Sequence, residues 1–590
     1  MKNNILYFFI VFCLQNIELF AQQDQPKSRT ETVNAISVNF LELAKAEKLR
    51  PKPFEGKVAP EEGDEENEKK MKANNVVTSF SPMQKIQTIL PPALPIKNIN
   101  ARTENTEAFP CTTFEGVINN DIGGFRYEPS DANGGVGFDH VVSTTNTYIR
   151  ISNKQGGFVS EQTFVSFFSV LGITDVFDPK IHYDPYAHRW VFVGAATRTS
   201  ANSSFIIAIS QTPDPTGGWW QYAVDADAAN ANWFDYPEVG INKNWIVITG
   251  NMFTIAAGSN YGRVWAINKS QGYIGAGLSI PYWDYSAYRS ISPSTNYDIN
   301  EDRMWLMSNF NYNSGGNGFV KIFNMTGTAA APLLALGNTI NVGTGWGGPN
   351  GGPQLGTAVR IDLNDPRIQS AVYRNGVLWF SQGIGLPAVA PTYSSIQVVA
   401  VNPFAGSHIE TLRIGDASGA IAAGFPWVAI NSVNDICIGY NTFYTTGFPS
   451  SAISVRRSGS GSFESYVYKS GEVAKANTRF GDYSSCYVDP EDDRTFWVST
   501  EYARTSNRWG TWWAKLCPAY CINDQTVTGI VGANYLKKFE TSNTITATVQ
   551  IGTGANVKLD AANKITLSPG FRANNGSKVQ VYIEGCGGAR

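Results

Sequence analysis

The chain has 590 residues, 46 Lys+Arg against 49 Asp+Glu and a net charge of -3. That length allows two or more domains and a large core, and the balance excludes a strong field for nucleic acid or an acidic membrane. Charged residues make up only 16% and aromatics 13%, with 56 Gly and four His. This is the profile of an extracellular all-β protein, and it disfavours a His-rich metal centre.

The first residues pair Lys2 with an apolar run from Ile5 to Leu14, and Ala21 offers a cleavage point before Gln22. Residues 1–21 therefore read as a secretory signal peptide, with an apolar core too short for a permanent anchor. Phe12 before Cys13 argues against lipidation. The mature chain is expected to be exported, to lack a transmembrane segment, and to reside outside the cell, on its surface or in the periplasm. Six cysteines then remain, and disulfides are the default in that setting. Cys437 with Cys486 and Cys521 with Cys586 are the candidate pairs, although sequence does not fix connectivity.

Residues 22–110 form a leader. Val33 to Leu49 has a weak helical pattern stopped by Pro51 and Pro53, and Glu61 to Lys72 is a charge run. The leader reads as flexible and extended. The sharper reading makes it a partner-binding or cleaved segment.

From Phe114 a repeated hairpin grammar begins. Phe177 to Val193 carries Asp184-Pro185 before Arg189-Trp190; Phe234 to Gly250 repeats the pattern, Tyr297 to Ser308 gives a third copy and Phe480 to Glu501 a fourth. Each reads as two apolar strands around a tight polar turn. Units beginning near 114, 172, 230, 284, 350, 420 and 474 make seven. Degenerate four-stranded repeats of roughly 45–70 residues favour a β-propeller over a sandwich or barrel. The fold class is all-β, with a seven-bladed propeller over 111–518 and a small β-stack module over 519–590. The motifs GGVGFDHVVSTTNTYIRISNKQG, DPKIHYDPYAHRWVFV, DPTGGWW, FDYPEVGIN and RFGDYSSCYVDPEDDRTFWVSTEYA resemble a family of exported bacterial β-propeller-like proteins. That resemblance implies the fold and attaches no agreed chemistry.

After Cys521, short strands with Gly-rich turns take over, and Ile565 to Cys586, ITLSPGFRANNGSKVQVYIEGC, resembles the three-coathanger stack domain of exported Bacteroidota proteins. Val557, Leu559, Ile565, Leu567, Phe571, Val579, Val581 and Ile583 would form its core. So small a module needs a staple, such as Cys521–Cys586.

Propellers bind ligands at the mouth of the central channel, near the start of each innermost strand. Aligning the repeats on their aromatic residues puts Asp178, Asp235 and Asp482 there, with Tyr236 and Glu238 beside the second and Trp427 marking another blade. A ring of acids and aromatics suits a carbohydrate, or a calcium ion through oxygen ligands; no other cofactor is expected. The competing role is structural, with the Asp residues capping turns and joining blades. A hydrolase would need two placed carboxylates, and Asp235 with Asp482 or Glu501 could serve. Arg360, Arg367 and Arg479 are present for a sialidase-like triad, with no motif that selects them. No nucleophile elbow, phosphate loop or dinucleotide fingerprint occurs.

The leading reading is an exported, non-catalytic propeller that binds a glycan or a surface protein. The alternative is a glycan-active hydrolase or lyase using the channel-mouth carboxylates, and a third is a structural component of a surface assembly.

Overall fold

A computed structural model describes residues 29–48, 58–60, 110–119, 126–255, 260–309, 313–505, 508–516, 523–533 and 535–585. The chain forms a seven-bladed β-propeller followed by a three-coil parallel β-stack. The innermost strands run in order: Asn133–Val136 in blade I, Val176–Asp184 in II, Asn232–Ile241 in III, Ser292–Pro293 in IV, Ile368–Arg374 in V, Ile421–Ile430 in VI and Ser485–Val488 in VII. Most are buried along their whole length, so they read as continuous apolar runs rather than alternating ones.

The ring closes through Thr112–Ile118, which pairs with Arg508–Leu516 as the outermost strand of blade VII. The unit expected to start the first blade near 114 therefore completes the last one. Alternation specifies that a segment is a strand, not which sheet receives it. The copy expected at Tyr297 to Ser308 is likewise not a simple hairpin. Ser292–Pro293 pairs with Met304–Ser308 in blade IV, and Thr295–Asn296 then crosses to run parallel to Ile368–Arg374 in blade V. Pro293 lacks the donor that a longer central strand would need.

Part of the leader expected to be flexible is built into the propeller. Arg29–Val33 pairs with Leu278–Tyr285 as a fifth strand of blade III, and Ile36–Asn39 pairs with Gly218–Asp225 as a fifth strand of blade II. The helix Phe40–Lys48 follows, with Asn39 Oδ1 accepting from Glu42 N at 3.1 Å and Phe40 buried 5.3 Å from the Phe167 ring. Edge strands of blades II and III are thus covered by one continuous segment. The charge run at 61–72 lies outside the described residues.

Asp214-Pro215-Thr216-Gly217-Gly218-Trp219 forms a tight turn. Asp214 Oδ1 accepts from the Thr216 N–H at 2.9 Å and its hydroxyl at 2.7 Å, while Trp219 Nε1 donates to the Pro215 carbonyl at 2.8 Å. These contacts fold the turn back on itself and give it a structural role.

Cys437 and Cys486 lie on neighbouring blades VI and VII, buried in one apolar cluster, yet both are free thiols. Burial, with the neighbouring Cys486 thiol, pushes the Cys437 thiol up. The two candidates for a staple therefore share one apolar cluster without a bond between them. Cys521 and Cys586 lie outside the described residues; Cys111 is disulfide-bonded.

The C-terminal module stacks three coils through parallel pairing: Asp524–Val527 on Thr544–Ala547 on Lys564–Leu567, and Leu536–Thr541 on Asn556–Ala561 on Lys578–Tyr582. Val557 and Leu559 sit in its core with Val527, Ile545 and Ile551, and Ile565, Phe571 and Val579 pack partly against them. Leu567, Val581 and Ile583, expected inside, are exposed. Among the described residues the strands that carry Leu567 and Val581, Lys564–Leu567 and Lys578–Tyr582, pair on one side only.

The stack docks on the turns at the far ends of the innermost strands. Lys558 Nζ lies 3.0 Å from Glu491 Oε1 and 4.6 Å from the Phe138 ring centroid, and Lys538 N donates to the Glu491 carbonyl at 2.9 Å. Buried Lys154 reaches Asp489 at 2.7 Å and Glu491 at 3.1 Å. Despite its burial, Glu491 is held down to about 2 by the charges of Lys154, Lys558 and Lys538. Because its folded pKa lies below the ordinary glutamate value, Glu491 stabilises the docked state at pH above about 4.5, and that contribution disappears as pH falls toward 2. Glu491→Gln is expected to cost about 2 kcal/mol at neutral pH. Hydrogen exchange should show the loss concentrated at 485–495 and 535–560, and uniform loss across all blades would contradict this placement.

Candidate channel-mouth site

Three innermost strands carry the same local device. Asp178, Tyr236 and Phe425 adopt left-handed φ values of 52°, 53° and 54°, and each is followed by proline, Pro179, Pro237 and Pro426. At these points the ladder skips, between Phe177 and Lys180, Asp235 and Glu238, and Gly424 and Trp427. A non-glycine residue there costs on the order of 1–3 kcal/mol, held in place by the surrounding sheets. The proline removes a backbone donor that the bulge would leave unpaired.

The residues just past these prolines, Lys180, Glu238 and Trp427, meet at the propeller axis. Lys180 Nζ lies 3.4 Å from Glu238 Oε1, 5.4 Å from the Trp427 ring centroid and 2.9 Å from that of Tyr483. The Tyr236 and Tyr483 rings lie 5.2 Å apart at a tilt of 37°, and the Arg367 guanidinium lies 4.2 Å from the Tyr236 ring while its two donors hold Asp365 at 2.7 and 2.8 Å.

One layer outward is a chain of carboxyls. Asp131, itself left-handed with φ 45°, accepts from Asp482 N at 3.0 Å and from Asn146 Nδ2 at 2.6 Å. Asn146 Oδ1 in turn accepts from Asp178 N at 2.9 Å, and the Tyr483 hydroxyl donates to Asp178 Oδ2 at 2.8 Å. Arg479 reaches Asp482 at 3.2 Å. Glu501 accepts from Gly481 N at 2.9 Å and from the Ser130 hydroxyl. Neighbouring inner strands are joined in the same manner, Asn133 Oδ1 accepting from Ile181 N at 2.9 Å and Ser370 Oγ from Val428 N at 2.8 Å.

Burial governs the proton affinities here. It raises Asp131 to about 7, helped by the Asp178 charge, and raises Glu238 to about 7 against the pull of Lys180. Glu501 is pushed up to about 8 by burial, Lys180 is pushed down, and His182 falls to about 3 through burial and the Lys180 charge.

Of the residues singled out from sequence, Asp178, Tyr236, Glu238, Trp427 and Asp482 converge here. Asp235 does not hold the expected position. It precedes its bulge, opposite Asn251, and Tyr236 is the true counterpart of Asp178. Aligning on phenylalanine is misleading because FDYPE has one more residue before the proline than FDPK. Aligning on the proline selects Lys180, Glu238 and Trp427 directly, and this signal would also have found Lys180, which was missed. Asp131, Asn146 and Tyr483 carry no comparable marker in the sequence. Arg360 is exposed, whereas Arg367 and Arg479 reach the site. Among the described residues no three His, Cys, Asp or Glu side chains are grouped to hold a metal ion. No helix of the described residues is long and apolar enough to cross a membrane.

No family model matches the chain, and no curated protein does. Among solved structures, the chain is similar to a Trypanosoma rangeli sialidase mutant displaying trans-sialidase activity, at 11% identity and TM-score 0.33, covering 63% of this chain and 57% of that one. It is similar to the Dos1 propeller at 10% identity and TM-score 0.35, over 67% of this chain and 80% of that one. A Penicillium chrysogenum α-L-arabinanase complexed with arabinobiose matches at 11% identity and TM-score 0.32, over 57% and 92%. The chain thus spans little more than half the length of the sialidase, and its chemistry is argued from its own residues.

Asp131→Asn isolates the carboxyl chain. The folded Asp131 keeps its proton to about 7 while the unfolded side chain releases it near 3.8, so the wild type loses stability as pH rises between those values. The slope is about 1.4 kcal/mol per pH unit for this one proton. Denaturation of both proteins from pH 4 to 8 should show the variant gaining on the wild type as pH rises. Parallel curves would contradict the assignment.

Proposed function

We propose that this chain is an exported, carbohydrate-directed propeller working at the channel mouth formed by Asp131, Asp178, Asp482, Arg479, Tyr236 and Tyr483. The observation that carries the reading is the linkage of two acids through one amide: Asn146 Nδ2 donates to Asp131 Oδ2 at 2.6 Å while its Oδ1 accepts from Asp178 N at 2.9 Å, and burial beside the Asp178 charge raises the Asp131 carboxyl to about 7. An asparagine would supply turn contacts without the repulsion between these acids. Retaining a carboxyl there is the pattern of an acid–base site. Hydroxyl-rich ligands are met by closely set donors and acceptors, which the partly exposed side chains of Arg479 and Asp482 provide, while Tyr236 and Tyr483 are buried against Arg367 and Lys180.

Bond cleavage is favoured over capture by the same observation. A carboxyl of raised proton affinity beside an ionised neighbour is the pairing that proton transfer to a leaving glycosidic oxygen calls for; Asp131 itself is fully buried, so its proton would reach a ligand through the less buried Asp482 rather than by direct contact. Sequence alone put the non-catalytic reading first; the protonated carboxyl reverses that order. Capture without cleavage keeps one specific support, since the Asp131 and Asp178 oxygens are engaged by Asp482 N, Asn146 and Tyr483. A leader-borne protein partner is less well supported, because Arg29–Val33 and Ile36–Asn39 are used in sheet pairing. Export rests on the N-terminal apolar run and the composition, and assignment of the C-terminal coils to the three-coathanger stack rests on the Ile565 to Cys586 motif.

The test is incubation of the mature protein with a broad oligosaccharide panel, reading both retention and new chain ends. Turnover that falls by about 100-fold or more in Asp131→Asn supports the enzyme. Retention without new ends supports capture, and neither would overturn the carbohydrate reading.

A further inference from the structure

We propose that Lys180 and Glu238 condense into an intramolecular amide, a covalent staple between the innermost strands of blades II and III. The two proline-anchored bulges place Lys180 Nζ 3.4 Å from Glu238 Oε1, both side chains being almost fully removed from solvent. Neither atom has a hydrogen-bond partner of good geometry. The Trp427, Tyr236 and Tyr483 rings lie within 6 Å of the amine. A buried ion pair is retained only when further hydrogen bonds satisfy its remaining donors and acceptors, and these are missing. An amide removes both charges.

The site also favours the reacting forms. Burial pushes the Lys180 ammonium toward the free amine and raises Glu238 to about 7, toward the carboxylic acid. The amine lone pair attacks Glu238 Cδ and a C–N bond forms. A proton passes from nitrogen to the departing hydroxyl, the C–O bond breaks, and water leaves; nothing is oxidised or reduced. The inference does not depend on the proposed function, because the carboxyl chain of Asp131, Asp178 and Asp482 is left intact.

The experiment is mass spectrometry of the full mature protein with disulfides reduced. The expected intact mass is one water below that of the sequence, trypsin fails to cut after Lys180, and fragmentation finds a branched peptide joining the segments that carry Lys180 and Glu238. Glu238→Ala should restore both the full mass and the cut. Recovery of Lys180 and Glu238 in separate linear peptides from the wild type overturns the proposal, and that map decides the matter even if the variant does not fold.

Discussion

The structure depends on the bulge that interrupts the innermost strands. By placing Asp178, Tyr236 and Phe425 in the left-handed region and following each with proline, the chain shifts the register of three blades at one height. The next residue of each strand then stands in the axis. The backbone strain is small beside the apolar burial of the seven blades. Its effect is to bring an amine, a carboxyl and an indole from distant parts of the sequence within a few ångströms.

Exclusion of water from those groups then determines their chemistry. Lys180 and Glu238 draw each other toward charge, while burial drives both toward neutrality, and burial is the larger cause for each. Asp131 and Glu501 show the same ordering, with backbone donors lessening but not cancelling the desolvation. At the opposite end of the strands the balance is reversed. Three lysines surround the partly buried Glu491 and keep it ionised, so an ion network fastens the C-terminal coils.

Much of the architecture is legible in the sequence because hairpin turns and blade strands are local. Asp184-Pro185, Asn242 to Trp245 and the Asp489-Pro490 turn mark strand ends within a few residues. Ring closure by Thr112–Ile118 and the docking of Arg29–Val33 and Ile36–Asn39 are not local, and a strand's own pattern does not name its partner. At the site, the acidic and aromatic residue types pointed to the axis, but the position was shifted at Asp235, where one added residue before Pro237 changes which side chain faces inward. Asp131 was invisible for a different reason: its proton affinity comes from burial beside Asp178, which lies a blade away in space and 47 residues later in the chain.

The account stands most directly on the protonation of Asp131. Infrared difference spectra of the wild type minus Asp131→Asn, recorded across pH, isolate the carbonyl stretch of that one carboxylic acid. A protonated-acid band present at pH 6 and disappearing with a midpoint of about 7 is the predicted result. A band already gone near pH 4, as for an ordinary aspartate, would contradict it.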